Sequence, residues 1–221
     1  MEKKIAVLGT GAIGCSVGAD LTKAGYDVVI IDQWPANIEA MKAKGLKITM
    51  PDEVLETPVR AYHLCEVCSL NESYDIVLLT AKSYDSCWMA EFIKPYIKEE
   101  GGYLVSLQNS LNDEWIAPII GYTRDVGCVV ELSGEIFEPA VVQRNTTHEG
   151  TWFAPGELHG RITPRVEEVA EILRHVGEVD ITTNIWGAKW TKLIANSMLQ
   201  APIGIVGLKE MEASQIPQVF D

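Results

Sequence analysis

Apolar residues along this chain fall into short continuous runs, separated by longer stretches in which apolar and polar positions alternate at helical spacing. The first run, Ile5-Ala6-Val7-Leu8, predicts a strand. Residues 12–24, small and apolar, predict a helix that Gly25 stops. A second run, Val28-Val29-Ile30-Ile31, ends on Asp32. Residues 36–44 read as a helix after Pro35, and Leu46–Met50 as a short strand ended by Pro51. Residues 51–74 are mixed and turn-rich, which predicts an irregular excursion with one weak strand near Ala61–Leu64. The run Asp75–Thr80 is of the kind buried on both faces of a parallel sheet. A helix from about Asp85 to Ile97, a strand at Tyr103–Leu107, a helix at 112–120 and a strand at Val126–Leu132 complete the alternation.

Strand and helix alternating over residues 1–132 predict a Rossmann-like, doubly wound, mostly parallel α/β sheet. The rhythm then changes. Val141–Arg144 and Thr151–Ala154, joined by Asn145–Gly150, predict a hairpin or antiparallel extension; a helix at Pro164–Val176 and a strand at Val179–Thr182 follow. From Ile185 the spacing is helical as far as Leu199, with Pro202, Gly204 and Gly207 expected to interrupt it. This divides the chain into a nucleotide-binding domain, 1–183, and the start of an all-α domain, 184–221. No internal repeat or low-complexity segment is present.

Composition narrows the partners. A formal net charge of −13 over 221 residues repels nucleic acid and anionic membrane surfaces. Met1-Glu2-Lys3-Lys4 leads directly into a four-residue apolar run, too short for a signal peptide or a membrane span. Five cysteines without a leader suit reduced thiols in a cytoplasm. Cys65-x-x-Cys68 follows His63, yet no second CxxC or HxxxH completes four ligands, so free thiols and no metal site are expected.

The order strand, glycine turn, helix, strand, acid within the first 32 residues is the chemistry of a dinucleotide site. In Gly9-Thr10-Gly11-Ala12-Ile13-Gly14, Gly9 allows the tight turn, Gly11 lets the backbone approach a pyrophosphate, and Gly14 lets the helix pack on the strand. First-turn N–H groups at the positive end of the helix face the phosphates. Asp32, 23 residues after Gly9, is placed to accept from ribose hydroxyls. Lys82 and Asn109 follow predicted strands and so fall at the carboxyl edge of the sheet, where open α/β folds bind ligands. A solvated loop lysine and a self-bonded turn asparagine are the plain alternatives. Lys192, Asn196 and Gln200 recur every four residues and share one helix face, which on its own reads equally as a solvated surface.

Four segments resemble the ketopantoate reductase (2-dehydropantoate 2-reductase) family: Gly9–Gly14; Leu78-Leu79-Thr80-Ala81-Lys82, similar to a strand ending in a cofactor lysine; Leu107-Gln108-Asn109-Ser110, similar to a Q-N-G turn; and Lys189-Trp190-Thr191-Lys192-Leu193-Ile194-Ala195-Asn196, similar to a W-x-K-L-x-x-N helix. Glu138-Pro139-Ala140-Val141-Val142 and Gly156-Glu157 resemble the family's E-P-G-V-V and G-E elements. The resemblance implies hydride transfer from a nicotinamide cofactor to the C2 carbonyl of a 2-keto acid, 2-dehydropantoate first. It implies that Lys192 is the proton donor, that Asn109, Asn196 and Gln200 contact substrate, and that Gly9–Gly14, Asp32, Gln33, Lys82 and Asn109 hold cofactor. Lys189, one turn earlier, is a rival donor that helical geometry alone does not exclude. A small-molecule keto acid is the expected partner, and a homodimer is compatible with the family.

The chain departs from the family at three places. The arginine usual after the second strand is Gln33, preceded by Asp32, which favours NAD(H) over NADP(H), because a carboxylate there repels a 2′-phosphate. The helix's second substrate asparagine is Gln200. The family also continues as a helical domain, of which 184–221 would be only the first helices. Two alternatives therefore stand beside the main reading: an NAD-dependent D-2-hydroxyacid dehydrogenase of the D-mandelate type, and a non-catalytic NAD-sensing protein.

Overall fold

A computed structural model of the chain describes residues 3–207. Its strands are β1 (Lys4–Leu8), β2 (Asp27–Asp32), β3 (Leu46–Thr49), β4 (Val54–Thr57), β5 (Arg60–His63), β6 (Ile76–Leu79), β7 (Tyr103–Leu107), β8 (Asp125–Glu131), β9 (Gly134–Glu138), β10 (Val141–Arg144), β11 (Trp152–Glu157) and β12 (Glu178–Val179). Its helices are α1 (Ala12–Lys23), α2 (Pro35–Lys44), α3 (Leu64–Leu70), α4 (Ser86–Ile93), α5 (Asp113–Ile120), α6 (Pro164–Leu173) and α7 (Ile185–Val206). The main sheet runs β12-β11-β8-β7-β6-β1-β2-β5, and a smaller sheet runs β4-β3-β10-β9.

In the main sheet β5, β2, β1, β6, β7 and β8 are parallel, and β11 joins β8 antiparallel in the register Trp152↔Glu131. Both faces are buried, as the continuous apolar runs require. On one face Ile5, Val7, Val28 and Ile30 pack with Val17 and Leu21 of α1 and with Ile48, Leu55 and Val142 of the smaller sheet. On the other, Ala6, Leu8, Val29 and Ile31 pack with Met89, Ala90 and Ile93 of α4 and Ile116 of α5. After β1 the chain crosses to β2 on one side and later to β6 on the other. The carboxyl ends of β1 and β6 thus flank the switch point, where an open α/β sheet leaves a crevice.

Three sequence expectations are corrected. Residues 51–74 are more regular than expected: the strand expected near Ala61–Leu64 is β5, which closes the edge of the main sheet beside β2, and β4 and α3 stand on either side of it in the chain. Val141–Arg144 and Thr151–Ala154 are an antiparallel extension, the second of the two expected arrangements, and not a hairpin with each other. β10 pairs parallel with β3 and antiparallel with β9, whereas β11 pairs with β8, so the loop between them carries the chain from one sheet to the other. Burial explains the choice: Val142 is inside the shared core, and the Arg144 guanidinium, fully buried, donates to Asp20 at 2.7 Å and to the Val176 carbonyl at 2.8 Å. Finally, α7 does not break at Pro202 or Gly204; it runs to Val206 and stops at Gly207, in the left-handed region at φ +66°. A proline removes one backbone donor and crowds one carbonyl, which weakens a helix without necessarily ending it. Of the expected second domain, 184–221, residues 208–221 lie outside the described residues.

Candidate active site

The glycine turn has the three properties its sequence requires. Gly9 sits at φ +97°, and a Cβ there would lie 2.6 Å from the Ala81 nitrogen, so both its dihedral and the passing chain demand glycine. A Cβ on Gly14 would lie 2.0 Å from the Gly9 carbonyl oxygen, which fixes the close approach of α1 to the turn. A Cβ on Gly11 would meet nothing within 4 Å, so this position faces open space at the start of α1. The turn is held from beneath. Thr10 is buried, and its N–H donates to Asp32. Asn37 Nδ2 donates to the Thr10 hydroxyl at 2.9 Å and the Thr10 carbonyl at 3.1 Å, while Asn37 Oδ1 accepts from Ala140 N at 2.8 Å.

Asp32 has a more structural role than its position in the motif suggested. One oxygen accepts from Thr10 N and the other from Trp34 N at 2.7 Å, and the side chain is buried. The carboxylate therefore ties the first loop to the second while still lining the adjoining cavity of about 250 Å³. Gln33 lines the same cavity, and its Nε2 donates to Asp85 Oδ2 at 3.2 Å. Lys82 borders both this cavity and a larger one.

The larger cleft, of about 780 Å³, opens along the carboxyl edge of the main sheet. Gly11, Ala12 and Ile13 form one side; Lys82 and Asn109 project from the loops after β6 and β7; Lys192, Asn196 and Gln200 line it from α7. The every-fourth-residue row on α7 therefore faces the cleft, and Asn196 Nδ2 donates to Asn109 Oδ1 at 3.3 Å, joining α7 to the loop after β7. Lys192 Nζ stands 3.5 Å from Glu131 Oε1, a cleft carboxylate at the end of β8 that no local pattern marks.

The rival lysine points elsewhere. Lys189 is buried, donates to Ser106 Oγ at 2.8 Å and forms an ion pair with Asp113. Ser106 Oγ also donates to Asp113 Oδ1 at 2.8 Å. The group fastens α7 to β7 and to the start of α5, on either side of the Asn109 turn. Asp125, at the first position of β8, is fully buried beside it with neither carboxylate oxygen partnered. Burial, and then the negative charge of Asp113, push its carboxyl up to about 8.

Sequence reasoning also missed Gln108. It is buried, and its Nε2 donates to the Ala81 carbonyl at 2.5 Å and to Ser86 Oγ at 2.7 Å, locking the Lys82 loop to the Asn109 loop. Ser110 adopts φ +74°, the left-handed conformation that the family's Q-N-G turn serves with glycine, and Ala140 at φ +63° does the same in the E-P-G element. Among the described residues no cluster of three or more His, Cys, Asp or Glu is arranged to hold a metal ion, and no helix is long and apolar enough to cross a membrane.

Comparison with known proteins adds the family context. Residues 5–157 match the family model described as ketopantoate reductase PanE/ApbA. A 2-dehydropantoate 2-reductase of Pyrococcus horikoshii is 32% identical over 210 residues, covering 92% of this chain and 64% of that protein. One from Archaeoglobus fulgidus is 28% identical over 221 residues, covering 99% and 69%. This chain thus spans about two-thirds of the length of these relatives. Among solved structures, 2-dehydropantoate 2-reductase from Geobacter metallireducens GS-15 superposes with a TM-score of 0.82 at 28% identity, over 92% of this chain and 66% of that one. A D-mandelate dehydrogenase with NADH and anilino(oxo)acetate superposes at 0.88 with 19% identity, over 98% and 68%, a likeness of fold.

Proposed function

This chain belongs to the ketopantoate reductase family, and we propose that it reduces the C2 carbonyl of a 2-keto acid, 2-dehydropantoate in the first instance, using a nicotinamide dinucleotide. The observation that carries this reading is the convergence of Lys192, Asn196 and Gln200 on the cleft bounded by the open face of Gly11, with Asn196 reaching Asn109. The space at Gly11 and the start of α1 suit a pyrophosphate, with the first-turn N–H groups as donors. The dinucleotide supplies the hydride. Everything else falls to the protein: Gly9–Gly14 with Lys82 hold the cofactor, and Gln33 borders its adenosine end. Asn109 and Asn196 hold the substrate's polar groups. The Lys192 ammonium stabilises the charge that develops on the C2 oxygen and delivers the proton to it. Glu131 beside Lys192 supplies a counter-charge at the cleft wall. Residues 1–183 serve as the nucleotide-binding domain, and 184–221 open the substrate-side helical domain.

NADH is the proposed cofactor. Where the family commonly carries an arginine, Gln33 is bonded to Asp85, and two carboxylates, Asp32 and Asp85, line the cavity that would take the adenosine end, where they would repel a 2′-phosphate. The same feature favours, as a second reading, a dehydrogenase of the D-mandelate type acting on another 2-hydroxy acid. The test is consumption of NADH and NADPH with a panel of 2-dehydropantoate, phenylglyoxylate and branched 2-keto acids. Preference for 2-dehydropantoate with NADH supports the first reading, and preference for phenylglyoxylate supports the second. Dinucleotide binding without turnover of any keto acid overturns both in favour of a sensor.

A further inference from the structure

The function proposed above leaves His63, Cys65 and Cys68 unused, and their geometry is that of a reactive thiol with its base. Both cysteines are exposed on α3, Cys65 in its first turn. His63 Nε2 lies 3.0 Å from the Gln33 carbonyl oxygen. That oxygen can only accept, so Nε2 carries the proton, and in the neutral ring Nδ1 is left as an acceptor. Nδ1 stands 3.2 Å from Cys65 Sγ and also accepts from Cys65 N at 3.4 Å. A nucleophile, a base within reach and a third group that orients the base are thus in place. Cys68 follows one turn later, with its Sγ 3.4 Å from the Cys65 carbonyl oxygen. Three residues apart on a helix, two Cα atoms are about 5 Å apart, inside the ~4.4–6.8 Å range that a disulfide spans.

We propose that Cys65 and Cys68 form a peroxide-oxidisable dithiol, with His63 as the base, and that closing its disulfide loosens the Gln33 end of the cofactor cleft. The Cys65 proton passes to Nδ1, and the thiolate sulfur attacks one oxygen of hydrogen peroxide. The O–O bond breaks, the departing hydroxide takes up a proton as water, and Cys65 becomes a sulfenic acid. The Cys68 sulfur then attacks that sulfur, the S–O bond breaks, and a second water leaves. Two electrons pass from the two thiols to the peroxide. Closure draws Cys65 Sγ off the imidazole that is seated on the Gln33 carbonyl, and Gln33 borders the adenosine-side cavity. The coupling to cofactor rests on the function proposed above; the thiol chemistry does not. Of the other cysteines, Cys15 and Cys128 are buried, with thiols pushed up to about 12 by that burial, so only the exposed Cys87 competes.

The experiment is titration of the reduced protein with hydrogen peroxide, followed by peptide mass mapping and NADH binding before and after. The expected result is a loss of 2 Da in the peptide joining Cys65 and Cys68, ahead of any change at Cys87, with NADH affinity weakened about threefold or more. Cys68→Ser stops at a sulfenic acid that dimedone traps on Cys65. His63→Asn, which keeps a capping side chain, slows oxidation by about tenfold or more. Oxidation of Cys87 before the pair, or an unchanged rate in His63→Asn, overturns the dithiol. A disulfide that leaves NADH affinity unchanged overturns the coupling. If the reduced protein binds no dinucleotide, the cofactor reading and its coupling to the dithiol fall together, and the mass map alone decides the thiol chemistry.

Discussion

Asp125→Asn tests the buried charge cluster beneath α7. In the folded protein this carboxyl holds its proton to about pH 8, because it is fully buried with neither oxygen partnered and lies near the Asp113 carboxylate. In the unfolded chain an aspartate ionises near pH 4, roughly. Between those values the folded state binds one proton more than the unfolded state, so stability falls as pH rises, by about 1.4 kcal/mol per pH unit from this site alone. Over pH 5 to 8 that is roughly 4 kcal/mol, a large part of the ~5–15 kcal/mol that holds a domain together. Asparagine keeps the shape and cannot ionise, so the variant lacks this slope. Urea unfolding of both proteins at pH 5, 6, 7 and 8 measures the difference. The expected outcome is a variant that gains steadily on the wild type as pH rises. Groups that act at the acid end cancel in the comparison, such as Glu66, whose carboxyl is held below its ordinary range by the Lys42 ammonium. A stability difference that stays constant within about 1 kcal/mol across this range refutes the reasoning.

Two further substitutions probe the cofactor side. Gly11→Val abolishes dinucleotide binding and leaves the melting temperature within a few degrees of wild type, because a Cβ there meets no protein atom within 4 Å and the side chain fills the pyrophosphate's space; nicotinamide fluorescence titration and thermal melting check the two halves. Gln33→Arg, made alone, shifts preference toward NADPH by about tenfold, read from the ratio of the two dissociation constants. Asp32 is left in place in that variant because its carboxylate holds Thr10 N and Trp34 N, and removing it costs the loops about 2 kcal/mol or more.

The parts of the fold that were legible in sequence are those governed by local pattern. Continuous runs such as Ile76–Leu79 and Tyr103–Leu107 must be buried on both faces, and each precedes a loop of the site. The glycine turn was readable because Gly9 and Gly14 answer steric demands of the turn itself, while Gly11 leaves open space at the start of α1. The second sheet was not readable, since β10 pairs with β3 across more than ninety residues and β9 lies between two turns with no apolar run of its own. Buried polar residues were missed for a related reason. Nothing in the local pattern marks Asn37, Gln108, Arg144 or Lys189 as buried, and only their tertiary partners show that they lock the loops in place. Lys189 is the clearest case. Its spacing made it a rival to Lys192, and its burial against Asp113 removes it from the cleft.

The most direct test of the account is the single-turnover rate of hydride transfer at saturating cofactor and keto acid, measured on protein that turns the substrate over. Lys192→Ala lowers that rate by about 10²-fold or more while cofactor affinity stays within about twofold of wild type. Lys189→Ala, in contrast, leaves Asp113 buried without its partner, so it costs about 3–5 kcal/mol of stability and leaves the rate of the fraction that stays folded close to wild type. A Lys192 variant that transfers hydride at the wild-type rate, or a folded Lys189 variant that does not transfer it at all, contradicts the assignment of the proton donor and, with it, the substrate roles of Asn196 and Gln200.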